Sequence, residues 1–226
     1  GAVNSSLVDT TEKSSTASTS IKQHHGHHHT PDHSEAVHVV LSCDNSLFVA
    51  LQALVQSMIS NTQLPHLLHL HIFQIEHLQG YATWRKNVHQ SGAHIHLYTL
   101  EPHELDPYIN PHLAPDQQRL KSHANFVRFI LADRLDIKIQ SCLWLDADII
   151  VQGDLVEWMH QNQPITKPLA AFPRYRVPYS FRNESFYPLF AQHNISGIAN
   201  QEEPTFNAGI MYINLHLWRQ QQIDQT

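Results

Sequence analysis

Short apolar runs alternate with stretches of helical apolar spacing along most of the chain. The runs of strand length cover residues 37–43, 68–72, 94–99, 142–151 and 169–172, with a last strand expected to begin near residue 210. Strands separated by helical stretches predict βαβ units and a mainly parallel α/β sheet with right-handed crossovers. Because ligands of such sheets bind at the carboxyl ends of the strands, we expect the functional residues to lie there.

The segments between these strands carry start and stop signals of helices. The predicted helices are one capped by Ser46 and ended by Asn61, a short one from Tyr81 ended by Gly92, one from about Arg119 to Leu135, one opened by a capping box of Asp154 and Glu157, and a last one over LHLWR. The chain length allows one large domain or two small ones, and we predict a single domain over residues 36–226.

Residues 1–35 have a different composition, first rich in Ser and Thr and then in His. With few apolar side chains to bury, this segment is predicted to be a disordered tail. Its six histidines, at positions 24, 25, 27, 28, 29 and 33, could hold a transition metal loosely. Solvated low-complexity sequence is the simpler interpretation, because spacing without a scaffold fixes no coordination geometry.

Composition excludes several classes of protein. The 226 residues are 42% hydrophobic, and no apolar run approaches the roughly 18 residues of a membrane span. The 14 Lys and Arg are scattered, which argues against a nucleic-acid partner. Cys43 and Cys142 lie in apolar runs and are expected to be buried free thiols. The formal charge of −6 assumes that all 20 histidines are neutral. Near pH 6, about three quarters of free imidazoles would be protonated, which would reverse the sign.

The strongest local signal for chemistry is Asp146-Ala147-Asp148, which follows an apolar strand. Two carboxylates there are costly to desolvate unless a cation or hydrogen-bond donors meet them. Hard oxygen ligands suit Mg²⁺ or Mn²⁺, and such an ion is commonly shared with substrate phosphates. On spacing alone, a pair of turn and cap carboxylates explains the motif equally well.

Three further segments supply candidate ligand contacts. Ser122, Asn125 and Arg128 recur every third residue, and an Arg beside an apolar helix face can bind phosphate oxygens, although a solvated Arg is the simpler alternative. Asp44 could accept a hydrogen bond from a nucleoside or cap the helix that follows it. The run from Asn207 to Gly209 permits close backbone approach to a ligand, or forms an ordinary turn.

Four segments together resemble glycosyltransferase family 8, the retaining sugar-nucleotide transferases. They occur in the family's order and are VVLSCDNSLFVALQALVQSM, HANFVRFILADRL, CLWLDADIIVQGDLVEW and FNAGIMYINLHLWR. The resemblance covers about residues 37–220. It implies a GT-A nucleotide-sugar-binding domain with a Rossmann-like, mainly parallel mixed sheet flanked by helices. It also implies transfer of a hexose, with retention, from a UDP-sugar to a carbohydrate or glycoconjugate acceptor.

The resemblance also implies roles for individual residues. Asp146 and Asp148 would bind Mn²⁺ or Mg²⁺ bridging the UDP-sugar diphosphate, with Asp146 and Ala147 also contacting the nucleotide. The remaining nucleotide contacts would be Ser42, Asp44, Ser46 and Asn125, with Asp44 at the uracil. Arg128 and Asn207 would act as catalytic contacts to the donor sugar and its phosphate.

Two other functions stay open. Family members continue with a D-Q-D-like and an H-x-x-G-x-x-K segment, so the present chain is expected to lack a C-terminal part that supplies a third metal ligand and a phosphate lysine. It could therefore act as a UDP- or sugar-binding module without activity. A haloacid-dehalogenase-like phosphatase also uses D-x-D after an apolar strand, but about 110 structured residues precede the motif here.

Two further predictions concern the compartment and the acceptor. Asn-x-Ser sequons at Asn4, Asn183 and Asn194 suit a Golgi or secretory-pathway enzyme held to the membrane through an upstream anchor, whereas a bacterial relative would be cytoplasmic. The aromatic loop of residues 174–203 is a candidate for acceptor recognition, or it covers a small core of its own.

Overall fold

The structure is a computed structural model, and it describes residues 36–109, 122–174 and 205–223. The predicted tail of residues 1–35 lies outside these ranges, as do all three sequons, nearly all of the aromatic loop, and the start of the helix predicted at Arg119.

Six strands form one sheet of order β3-β2-β1-β4-β6-β5. The strands are β1 Val37–Cys43, β2 Leu68–Gln74, β3 His94–Thr99, β4 Ser141–Leu145, β5 Leu169–Arg174 and β6 Thr205–Asn214. Strands β1 to β4 pair in parallel, and β6 runs antiparallel to both β4 and β5. The mainly parallel α/β sheet predicted from the sequence is confirmed.

Helices cover both faces of this sheet. They are α1 Phe48–Asn61, α2 Tyr81–Gln90, α3 Leu131–Arg134, α4 Leu155–Gln161 and α5 Leu215–Gln220, together with a 3-10 helix over His123–Phe129 and short 3-10 turns at Pro65–Leu67, Pro102–Glu104 and Asp106–Tyr108. The predicted cap of α4 is confirmed, because Asp154 accepts hydrogen bonds from the amides of Val156 and Glu157. After α2, Gly92 adopts a φ of 96°, as a helix-terminating glycine does.

Several predicted boundaries are wrong. Helix α1 begins at Phe48, and Ser46 lies in the preceding turn, where its amide and hydroxyl donate to Asp44 instead of capping the helix. Strand β4 ends at Leu145 rather than at residue 151. Strand β6 starts at Thr205, so Asn207 lies within the strand. In place of one helix from Arg119, the described part has the 3-10 helix followed by the single turn of α3.

Two apolar cores sandwich the sheet. On one face, α1, α2 and α4 pack over alternate residues of β1 to β4 around Leu41, Leu51 and Leu70. On the other, the 3-10 helix, α3 and α5 pack over the remaining residues around Val40, Val127 and Trp144. Cys43 and Cys142 are buried free thiols, as predicted, and burial raises the pKa of each to about 12. Among the described residues, no helix has the length and apolar character needed to span a bilayer.

Five imidazoles line the second face at the amino ends of the first three strands, and we call them the histidine ladder: His38, His69, His71, His94 and His96. Ring nitrogens of His38 and His71 lie 2.9 Å apart, those of His69 and His96 lie 3.1 Å apart, and His71 also contacts the Tyr98 hydroxyl at 3.0 Å. Burial, followed by neighbouring imidazoles, lowers the pKa of His69 to about 4 and that of His71 to about 3. Burial lowers the pKa of His38 and His96 as well, so it favours the neutral form of these four rings, and His94 joins the ladder through a ring contact with His69.

Candidate functional site

The candidate site lies where β1 and β4 end side by side. Strand β1 lies between β2 and β4. The chain adds β2 and β3 on one side of β1 and then β4 on the other, so β1 and β4 flank the topological switch point of the sheet. Open α/β sheets bind ligands at the carboxyl ends of the strands flanking such a point. Asp44 follows β1 and Asp146 follows β4, so both carboxylates lie at this edge.

Asp146 is held by contacts to one of its two carboxylate oxygens. Oδ1 accepts from the indole Nε1 of Trp144 at 3.1 Å and from Nη2 of Arg128 at 3.4 Å. The backbone amide of Asp146 donates to the carbonyl of Gly209 at 2.8 Å. The side chain remains 40% exposed, so the carboxylate is oriented by the protein and open to solvent.

Arg128 ties three parts of the fold together. Its Nε donates to the carbonyl of Asn125 at 2.8 Å, and its Nη1 donates to the carbonyl of Ala208 at 2.7 Å. The guanidinium also lies over the Trp144 ring, 4.8 Å from the centroid. Burial lowers the pKa of Arg128, and the Asp146 carboxylate opposes that shift. The side chain is 13% exposed, and it joins the 3-10 helix to β4 and β6.

The start of β6 fits closely around Asp146. Asn207 Oδ1 accepts from the Gly209 amide at 2.9 Å, which leaves Asn207 exposed beside the carboxylate. A Cβ at Gly209 would lie 2.7 Å from Asp146 Oδ2 and 3.2 Å from Asn207 Oδ1. The sequence predicts that Gly209 lets the backbone approach a ligand closely. In the structure, the group that lies against this glycine is the carboxylate of Asp146.

Asp44 organises the other half of the edge. Its Oδ1 accepts from the amides of Ser46 at 3.0 Å and Leu47 at 3.3 Å, and its Oδ2 accepts from the Ser122 hydroxyl at 3.4 Å. Ser42 lies below in β1, where its buried hydroxyl donates to the carbonyl of Ala124 at 2.6 Å.

The 3-10 helix connects the two halves. A 3-10 helix has three residues per turn, so Ser122, Asn125 and Arg128 share one of its faces. Ser122 contacts Asp44 and Arg128 contacts Asp146, with Asn125 between them. The candidates proposed on the separate segments thus converge on one sheet edge.

The donor set fits a hard divalent cation only in part. Asp148 is exposed and, like Asp146 Oδ2, makes no hydrogen bond with the described residues, so both offer free carboxylate oxygens. Ala147, between them, is buried in the first core and points away. Within the described ranges no group of three or more His, Cys, Asp and Glu has the geometry of a metal site. Two carboxylates suit an ion whose other ligands come from substrate phosphates and water.

Sequence reasoning missed Trp144 as a member of the site. It was expected only as an apolar strand residue, although Trp two residues before an Asp on an extended strand places an indole N–H on the same face as that carboxylate. The carbonyl and Cα of Gly209 lie against Asp146 because β4 pairs with β6. No local sequence pattern indicates that pairing.

Comparison with known proteins identifies the family. The family model described as glycosyl transferase family 8 matches residues 38–226. The Arabidopsis thaliana proteins "Probable galacturonosyltransferase-like 10" and "Probable galacturonosyltransferase-like 7" are 23% and 25% identical over 186 and 190 residues. These matches cover 82% and 81% of the present chain, and 50% and 48% of the relatives. The chain therefore spans about half the length of the curated relatives it matches.

Solved structures show the same fold. The galactosyltransferase LgtC, in complex with donor and acceptor sugar analogues, superposes with a TM-score of 0.60 at 20% identity, over 81% of this chain and 60% of that one. Mouse xyloside xylosyltransferase 1 gives a TM-score of 0.58 at 14% identity, over 84% of this chain and 71% of that one. The sheet and its helices have the GT-A glycosyltransferase fold, and the chain belongs to glycosyltransferase family 8.

Proposed function

We propose that this chain is the donor-binding part of a retaining glycosyltransferase that moves a hexose from a UDP-sugar to a carbohydrate or glycoconjugate acceptor. The observation that carries the proposal is the Asp146 carboxylate at the switch point of the sheet, with Oδ1 held by Trp144 and Arg128 and Oδ2 without a hydrogen bond from the described residues. The family match and the sugar-bound state of LgtC support the same class of substrate.

In this proposal Asp146 and Asp148 hold Mn²⁺ or Mg²⁺ together with the donor diphosphate. The bound ion would neutralise charge that develops on the leaving diphosphate. Asp146 enters this arrangement already oriented, because Trp144 and Arg128 both donate to its Oδ1. Preorganised ligands avoid the cost of ordering at the moment of binding.

The remaining contacts are assigned by position. Asp44, with Ser46 and Ser42 beside it, lies at the end of β1 and would receive the uridine. Asn207 is exposed beside Asp146 and would reach the donor sugar or its phosphate. Arg128 already donates to two carbonyls and to Asp146, which favours a role in holding the site for the donor.

Asn125 and Ala147 would contribute mainly through backbone placement. The Asn125 carbonyl accepts from Arg128, and Ala147 is buried in the first core. The acceptor would bind along the loop of residues 174–203, and a Golgi or secretory compartment fits the sequons. Both assignments concern parts of the chain that the structure largely leaves undescribed.

Calorimetric titration with UDP tests the proposal. We expect UDP to bind more tightly with Mn²⁺ than without it, and Asp148→Ala to remove that enhancement, since it deletes one carboxylate ligand without touching the core. Asp133→Ala also removes an exposed carboxylate, on α3, and should leave the enhancement intact. Equal UDP affinity of Asp148→Ala and wild type in Mn²⁺ would refute the metal assignment.

A panel of UDP-sugars separates an enzyme from a binding module. Release of UDP from one sugar in the presence of Mn²⁺ would establish catalysis, whereas tight UDP binding without turnover of any donor would favour the module. The phosphatase hypothesis loses its basis, because the family 8 match covers the D-x-D strand and the segments on both sides of it.

A further inference from the structure

We infer that Trp144 is a positioning residue that assigns different tasks to the two oxygens of Asp146, with Oδ1 bound by the protein and Oδ2 presented to the metal and diphosphate. This inference rests on the proposed function. It concerns a side chain that the D-x-D motif does not include.

Trp144 is one of the largest fully buried side chains, with 1% of its surface exposed. A buried indole N–H requires an acceptor, and its acceptor here is Asp146 Oδ1 at 3.1 Å. Trp144 and Asp146 are two residues apart along an extended segment, so both side chains project from the same face. Trp144 belongs to β4 and the amide of Asp146 is bonded to Gly209 of β6, so the backbone of the sheet fixes both ends of the contact.

Arg128 binds the same oxygen of Asp146 as Trp144 does. Its guanidinium lies 4.8 Å from the centroid of the Trp144 ring while its Nη2 donates to Oδ1 at 3.4 Å. Two donors thus meet one carboxylate oxygen, and one of them carries a positive charge. Oδ2 lies toward the Cα of Gly209, on the side where the absence of a Cβ leaves room.

Losing the indole donor would loosen the carboxylate, because Arg128 alone would then bind Oδ1. The χ2 angle of Asp has a broad distribution, so the carboxylate plane could rotate away from the orientation in which Oδ2 faces the ligand. Partners that orient a ligating carboxylate typically contribute a factor of 10 to 100 in metal affinity. Phe at position 144 keeps an aromatic face under Arg128 and removes the N–H.

The first experiment compares Trp144→Phe with Trp158→Phe by calorimetric titration of UDP. Trp158 lies on α4 against the first core, on the opposite face of the sheet, and so provides a matched control. We expect Trp144→Phe to weaken Mn²⁺-dependent UDP binding about 10- to 100-fold, with metal-free UDP affinity within about twofold of wild type. Affinity equal to that of Trp158→Phe in Mn²⁺ would overturn the inference.

A second experiment needs neither ligand nor activity. The four tryptophans, at positions 84, 144, 158 and 218, give four indole N–H resonances in a ¹⁵N–¹H spectrum, and Trp144→Phe identifies its own by deletion. We expect the Trp144 resonance of Asp146→Asn to move upfield, because the indole loses a charged acceptor. An unchanged resonance would show that Trp144 does not hold Asp146.

The two experiments separate failure of the inference from failure of the proposed function. If the wild-type protein binds no UDP in the presence of Mn²⁺, that result refutes both the proposed function and the role of Oδ2 in binding the metal and diphosphate. The indole shift then still decides whether Trp144 holds Oδ1.

Discussion

The backbone amide of Asp146 donates to the carbonyl of Gly209, so the two residues are joined across β4 and β6 by a 2.8 Å hydrogen bond. The same approach brings Asp146 Oδ2 to 2.7 Å from the place where a Cβ of residue 209 would lie. The backbone of Gly209 is not left-handed, so this position requires glycine for space alone. The sheet thus contributes directly to the shape of the candidate site.

Gly209→Ala is expected to impair the site more than the fold. The new methyl must displace Asp146, and the carboxylate can only turn away by breaking its bonds to Trp144 and Arg128. We predict a stability loss of about 1–3 kcal/mol and a loss of about tenfold or more in Mn²⁺-dependent UDP binding. Thermal unfolding and calorimetric titration measure the two effects.

Gly153→Ala provides the control for this substitution. A Cβ there meets nothing within 4 Å, so both stability and UDP binding should match wild type. Full Mn²⁺-dependent binding by Gly209→Ala would show that Asp146 tolerates displacement, and the geometric argument would fail.

Asp44→Asn distinguishes a turn-forming role from a nucleotide contact. Asn and Asp are similarly effective as acceptors for backbone amides at the start of a helix. The turn through Ser46 and Leu47 should therefore persist, with stability within about 1 kcal/mol of wild type. If the carboxylate also receives the uridine, UDP affinity should fall even without metal.

The matched control for Asp44→Asn is Asp154→Asn, which makes the same change at the start of α4. It should change neither UDP affinity nor fold. Equal UDP affinity of Asp44→Asn and Asp154→Asn would leave Asp44 as a purely structural residue.

The histidine ladder predicts acid sensitivity. Imidazoles of the unfolded chain have a pKa near 6.5, whereas those of His69 and His71 lie at about 4 and about 3 in the fold. The unfolded state therefore binds more protons in acid, and this contribution to stability is complete above pH 6.5. It is lost progressively as the pH falls from about 6.5 toward 3, which melting temperatures between pH 7.5 and 4.5 would show.

A variant isolates the ladder from carboxylates that also titrate in acid. His71→Gln cannot take up a proton, so its melting temperature should fall less steeply with pH than that of wild type. Exposed His66→Gln should keep the wild-type slope. Identical slopes for wild type and His71→Gln would argue against the ladder as the source of acid sensitivity.

Strand β1 followed from a short apolar run, and β2 and β3 followed from the alternation of apolar residues with histidine, because both patterns reflect burial of strands within a sheet. The end of β4 and the start of β6 could not be predicted in this way. Apolar residues continue past Leu145, but the chain turns at Ala147 and Asp148, directly after Asp146 has bonded to Gly209 and placed its carboxylate partly in solvent. The helix predicted from Arg119 became in part a 3-10 helix, since apolar spacing of three to four residues does not distinguish the two.

The sequence by itself determined the fold class, the family and the D-x-D carboxylates, because each depends on residues close together in the chain or on an ordered set of segments. Only the tertiary structure decided which oxygen of Asp146 is bound, that Trp144 and Arg128 bind it, and that Gly209 must lack a side chain. Those relationships arise where β4 meets β6 and the 3-10 helix, and many pairings are compatible with the same local pattern. Packing selects one of them.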